Sequence, residues 1–133
     1  MKCLLGTPAL LLWLADDPRL GPSARAVIAD PANDILVSVV SLWEIVVKMR
    51  AGKLEADIRE IADAVEQARF GYLGLGIPHL LTLAGLPINH RDPFDHLLLA
   101  QAGLLVICVR KAPPGKLCAV NALPQAPAAI TLI

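Results

Sequence analysis

The stretch Ile35-Leu36-Val37-Ser38-Val39-Val40-Ser41-Leu42-Trp43-Glu44-Ile45-Val46-Val47-Lys48-Met49-Arg50 reads as two elements with no loop between them. Ile35 to Ser38 is a short apolar run suited to a buried strand. From about Val40 to Arg50 the pattern is that of a helix, which Gly52 ends. A strand that passes directly into a helix is the opening of a βαβ unit. Glu44 is the one charged residue between Val39 and Val47. A carboxylate among so many apolar neighbours needs a partner. Lys48, one helical turn on and in the favourable order of acid before base, is one candidate; a metal ion is another.

The same alternation continues on both sides. Toward the N-terminus, Lys2 to Leu5 reads as a strand ending at Gly6-Thr7-Pro8. Ala9 to Ala15 follows as an apolar helix closed by Asp16-Asp17-Pro18, then a helix over Pro22 to Ala29 with Pro22 in its first turn. Toward the C-terminus, Asp57 and Glu60 form a capping pair for a helix whose Ile58, Ile61, Ala62 and Val65 recur at helical spacing, with Gly71 as its stop. Tyr72 to Leu75 is a third strand candidate, Pro78 to Ala84 a short helix terminated by Gly85, Asp92 to Ala102 a further helix, and Gly103 to Val109 a last buried strand. Strands alternating with helices predict an α/β fold: a central parallel sheet covered on both faces, with a site at the carboxyl ends of its strands.

Composition bounds the function. The 133 residues suffice for one domain, and 56% of them are hydrophobic while only 4% are aromatic, so the core is aliphatic. Twelve basic and twelve acidic residues cancel; no global field draws the chain to nucleic acid or membrane, and any RNA contact depends on a local patch. The apolar N-terminus is broken by Gly6, Thr7 and Pro8, which argues against a secretory signal. No apolar run approaches the roughly 20 residues that span a bilayer. Cys3, Cys108 and Cys118 are an odd set without metal-ligand spacing, as expected in a reducing cytoplasm.

The densest chemical signal is Asn89-His90-Arg91-Asp92-Pro93-Phe94-Asp95-His96, running into Leu97-Leu98-Leu99-Ala100-Gln101-Ala102. Asp92 before Pro93 makes a good helix start, with Asp92 as N-cap and Asp95 complementing the positive end of the helix dipole. The same two carboxylates also project from the first turn of a helix, as ligands of a divalent ion would. His90 and His96 flank the stretch, but no cysteine or third histidine has spacing that completes a transition-metal site. His79 reads as surface or first-turn decoration, and Lys48, Arg50 and Arg91 as scattered cations within reach of an RNA backbone.

In order and approximate spacing from residue 1 to about 110, the phrases Leu10-Leu11-Leu12-Trp13-Leu14-Ala15-Asp16-Asp17-Pro18-Arg19-Leu20, Val37-Ser38 with Ser41-Leu42-Trp43-Glu44-Ile45, Gly52-Lys53-Leu54 and His90-Arg91-Asp92-Pro93-Phe94-Asp95 resemble the PIN-domain toxins of the VapC type. The resemblance implies a PIN-like α/β/α sandwich with a parallel sheet and endoribonuclease chemistry dependent on Mg²⁺ or Mn²⁺. It also implies a cognate antitoxin and a homodimer. Carried over, Glu44 and Asp95 match metal-holding carboxylates, and Asp92 is an adjacent catalytic candidate.

Two departures accompany that match. Gly6-Thr7-Pro8 stands where the family's first strand ends in an aspartate, and Val109-Arg110-Lys111 stands where a further acid is usual. With two carboxylates in place of four, the site is expected to bind Mg²⁺ weakly, and Lys111 is expected to fill part of it with an ammonium group. The resemblance covers a domain of residues 1–111; residues 112–133 are an atypical Pro/Ala-rich tail, with Ala128 to Leu132 its sole strand candidate, of the kind a frameshift would leave. Two functions compete: an impaired RNA-cleaving toxin, and an inactive homologue that retains antitoxin binding or dimerisation.

Overall fold

The computed structural model describes residues 2–88 and 92–104 and the backbone of 108–110. Four parallel strands, β1 (Lys2–Leu5), β2 (Asp34–Ser38), β3 (Gly71–Leu73) and β4 (Cys108–Arg110), lie in the order β3-β2-β1-β4. β1 registers with β2 from Lys2–Asp34 to Leu5–Val37, β2 with β3 from Leu36–Gly71 to Ser38–Leu73, and β1 with β4 from Cys3–Cys108 to Leu5–Arg110. Helices α1 (Thr7–Leu14) and α2 (Pro22–Ala29), with the 3₁₀ turn Pro18–Leu20 between them, join β1 to β2. α3 (Val39–Arg50) and α4 (Ile58–Gln67) join β2 to β3; α5 (Ile77–Ala84) and α6 (Pro93–Leu104) join β3 to β4.

Handedness decides which face each helix covers. From β1 through β2 to β3 the chain moves outward in one direction, then returns past β1 to reach β4. Right-handed crossovers therefore place α1 to α4 on one face and α5 and α6 on the other. The alternation of side chains along the strands matches. Cys3, Leu5, Ile35 and Val37 face a core with Ala9, Leu10, Leu20, Ile28, Ile45, Ile61 and Val65. Leu4, with Leu36, faces the opposite core, built from Val40, Leu97, Leu98 and Ala102. The expected α/β/α sandwich is what forms.

α3 starts directly from the carboxyl end of β2, and its two sides join different cores: Val40 packs beside α6, Ile45 in the α1–α4 layer. It therefore straddles the end of the sheet and carries Glu44 there. The helix ends in a Schellman arrangement, with Gly52 at φ +71°, its N–H on the Met49 carbonyl at 3.0 Å and the Lys53 N–H on the Lys48 carbonyl at 2.9 Å.

Several sequence expectations shift. Gly71 does not stop α4: the helix ends at Gln67, with Arg69 in the left-handed conformation at φ +59°, and Gly71 opens β3. A Cβ on Gly71 would lie 2.8 Å from Leu36 Cδ2, so glycine permits the close approach of β3 to β2. β3 is shorter than Tyr72 to Leu75. The last strand does not begin at Gly103, because α6 continues through Leu104; Ala100, Gln101 and Ala102 are buried and hold that turn in the helix. His79 is buried rather than on the surface, and its Nδ1 accepts the Gly76 N–H at 2.9 Å at the start of α5. The Ala112–Ile133 tail and its strand candidate lie outside the described residues.

Candidate functional site

The carboxyl ends of β1, β2 and β3 lead into Gly6-Thr7, Ser38 and Gly74, and the candidate site is built on these junctions. Ser38, the last residue of β2, is also the N-cap of α3: its Oγ accepts the Val40 N–H at 3.0 Å. That hydroxyl donates to Gln101 Oε1 at 2.5 Å, and Gln101 Nε2 donates to the Gly74 carbonyl at 3.1 Å. Three chain segments distant in sequence are thereby tied together. Gln101 is fully buried, the polar break in the apolar run of α6, and that break is the sequence signal that could have identified it.

Glu44 sits in the second turn of α3, with only 3% of its surface exposed. Thr7, at the first position of α1, donates its hydroxyl to Glu44 Oε1 at 2.9 Å. Lys48 donates its ammonium to Glu44 Oε2 at 2.5 Å, so both carboxylate oxygens are engaged. The pairing with Lys48 raises the lysine's pKa from its ordinary value. Asp92 and Asp95 raise it further through their charges, against the opposing effect of burial. Their influence on Lys48 puts the start of α6 and the Glu44–Lys48 pair in one electrostatic neighbourhood.

Aromatic packing helps hold α6 there. Trp43, next to Glu44, meets Phe94 edge-on with ring centroids 4.8 Å apart. Asp92 accepts the Phe94 N–H at 2.9 Å, which is an N-cap bond, and is otherwise exposed. Asp95 is half-buried in the first turn of α6. Of the residues singled out from the sequence, Glu44, Asp92 and Asp95 share this end of the molecule. Gly6 stands as the N-cap of α1 and brings no side chain. Lys111, His90 and Arg91 lie outside the described residues; among the described residues the ammonium group that meets Glu44 comes from Lys48.

A divalent ion at Glu44 would need oxygen ligands beyond one carboxylate. Both oxygens of Glu44 are already hydrogen-bonded, one of them to a cation, and among the described residues no group of three or more acidic, histidine or cysteine side chains is placed to hold a metal ion. The described arrangement does not fit a resident Mg²⁺ or Mn²⁺. Nor, among the described residues, is any helix long and apolar enough to cross a membrane.

Comparison with known proteins bears on the same residues. The PIN domain family model matches residues 4–107, a span holding the end of β1, β2, α3 and Asp95. Among solved structures, the chain is similar to the crystal structure of VapBC2 from Rickettsia felis bound to a DNA fragment from their promoter. The similarity has a TM-score of 0.53 at 15% sequence identity and covers 80% of this chain and 83% of that one, a likeness of fold. A search of curated proteins gives no match.

Proposed function

Because the chain belongs to the PIN-domain family, we propose that it is a VapC-like toxin homologue, an RNA-directed endonuclease fold with a protein antitoxin as partner, in which phosphodiester hydrolysis is impaired. The observation that carries the reading is the placement of Glu44, Asp92 and Asp95 at the carboxyl end of a parallel sheet whose first strand is followed by Gly6. PIN domains generally use divalent metal ions. Such an ion supplies a Lewis acid and an activated water for hydrolysis of a phosphodiester. Here Thr7 and Lys48 occupy Glu44 instead, and that is the reason for reading the activity as impaired.

Residues 1–111 form the working unit in this reading, with Glu44 and Asp95 as the remaining metal-type carboxylates and Asp92 as helix cap and neighbouring acid. The antitoxin reading is supported by the VapBC2 neighbour. Val39, Trp43 and Val47 also leave an exposed apolar stripe on α3 at a spacing of four residues. A homodimer and a cytoplasmic setting complete the proposal.

The Lys48–Glu44 contact favours a second reading, an inactive homologue that keeps antitoxin binding or dimerisation. RNA cleavage in Mg²⁺ or Mn²⁺ separates the two. Wild type is expected to cleave slowly, and a Gly6→Asp, Lys111→Asp double variant faster by on the order of 100-fold. Cleavage by wild type that disappears in Glu44→Gln removes the inactive reading. A repaired variant that stays inactive when Lys48→Met is added counts against RNA hydrolysis altogether.

A further inference from the structure

We propose that Lys48 is the built-in counter-ion of the Glu44 site: its ammonium takes the cation position, shuts out divalent metal, and leaves a latent metal site that opens when the lysine is removed. The inference rests on the Glu44 geometry and holds whether or not the protein cleaves RNA.

Glu44 is an anion taken almost wholly out of water, so its charge must be balanced. A threonine hydroxyl satisfies one oxygen but contributes no charge. The remaining oxygen is met by a primary ammonium at 2.5 Å. Lys48 lies four residues after Glu44, so helix geometry holds the two side chains as neighbours at all times. A tethered cation competes with free ions at an effective concentration of at least the millimolar range. Two or three carboxylates with no preformed cage bind Mg²⁺ weakly, because dehydration of the ion must be offset by ligand charge. The tethered ammonium wins that competition.

The same geometry implies what removal does. The Lys48 side chain is 41% exposed, so its amine end reaches solvent and its loss opens a path to Glu44 Oε2. Asp92 and Asp95 both act on the charge at Lys48 and would then lack that positive neighbour. Ser41, one turn before Glu44 on α3, is fully buried and has no hydrogen-bond partner for its hydroxyl among the described residues.

The test is Mn²⁺ binding by the full 133-residue chain, followed by the electron paramagnetic resonance signal of the free ion. Wild type is expected to show no saturable binding below about 1 mM, and Lys48→Met to bind one ion at least tenfold more tightly. Lys48→Arg should remain closed. Lys48→Met combined with Glu44→Gln should lose the gain, since a nonspecific rise in negative potential would survive that change. Stoichiometric binding by wild type at the affinity of Lys48→Met overturns the proposal, as does a Lys48→Met protein that folds and gains nothing. If Lys48→Met does not fold, wild type decides: unfolding temperatures equal in 5 mM EDTA and in about 5 mM Mn²⁺ uphold the closed site, and a rise in Mn²⁺ refutes it. Absence of RNA cleavage leaves every one of these readouts standing, so failure of the functional reading and failure of this inference are told apart.

Discussion

Replacing Ser38 by alanine removes two interactions at once, and their sum can be worked from the structure. Ser38 Oγ caps α3 through the Val40 N–H, and loss of a serine cap costs about 1 kcal/mol. The same hydroxyl is the donor to Gln101 Oε1, and both side chains are fully buried. Alanine therefore strands a buried amide oxygen, at a cost of about 1–3 kcal/mol. The total is about 3 kcal/mol, a large part of the ~5–15 kcal/mol that holds a domain together. Unfolding in urea, followed by the fluorescence of Trp13 and Trp43, should show a lower midpoint at unchanged slope. Gln101→Met should cost a similar amount, because it orphans the Ser38 hydroxyl and the Gly74 carbonyl. The double variant should cost less than the two singles combined, since with both partners gone fewer buried groups are left unmet. A Ser38→Ala loss below about 0.5 kcal/mol, or singles that add within ~0.3 kcal/mol, would refute the argument that this bond joins the sheet to α6.

Three other changes probe different parts of the fold. Thr7→Val keeps shape but leaves Glu44 Oε1 without a donor, so it should destabilise by about 2–3 kcal/mol in urea unfolding, whereas Thr7→Ser should stay near wild type. Arg69 holds a left-handed conformation at the end of α4, and Arg69→Gly should raise stability by about 0.5–1 kcal/mol; a loss would mean that the arginine side chain contributes more than its backbone strain costs. Asp17 is held at a pKa of about 2, below its ordinary 3.8, first by its side-chain hydrogen bond with Arg19 and then by the Arg19 backbone N–H. A lowered folded-state value means that its stabilisation is present above pH 3.8 and is lost as pH falls through about 2. Asp17→Asn should therefore be less stable than wild type at pH 5 and indistinguishable from it below pH 2, and a constant difference across that range would assign the effect to something other than charge.

Which of these features could be read from the chain follows from the range of the forces involved. Local signals held: Asp57 and Asp92 stand at helix starts and accept backbone N–H groups there, and the strand-to-helix junction at Ser38 lies within one residue of where the pattern put it. The alternating rhythm was enough for the sandwich, because right-handed crossovers leave few ways to cover both faces. Errors arose where a tertiary contact overrode a local preference. Gly103 signalled the end of a helix, yet burial of Ala100, Gln101 and Ala102 keeps α6 going past it. Gly71 signalled a helix stop, but the turn falls on Arg69, a residue whose propensity gives no warning of a positive φ.

Glu44 marks where sequence reasoning stops and geometry takes over. An acid in an apolar run demands a counter-charge, and two were available on paper: a metal ion, implied by the resemblance, and Lys48, implied by helix spacing. Spacing alone could not choose, because neither Thr7 nor the start of α6 is near Glu44 in the sequence. In the fold, Thr7 comes from the end of β1 and takes one oxygen, and the lysine takes the other. The missing aspartate at Gly6 and the present lysine at position 48 then act in the same direction. With no carboxylate from β1 to help offset the dehydration of a metal ion, the ammonium faces a weaker competitor at Glu44. Restoring Asp at position 6 alone should therefore recover less metal affinity than restoring it together with Lys48→Met. Equal recovery by both would show that Lys48 yields freely to the ion, and that the β1 carboxylate alone limits the site.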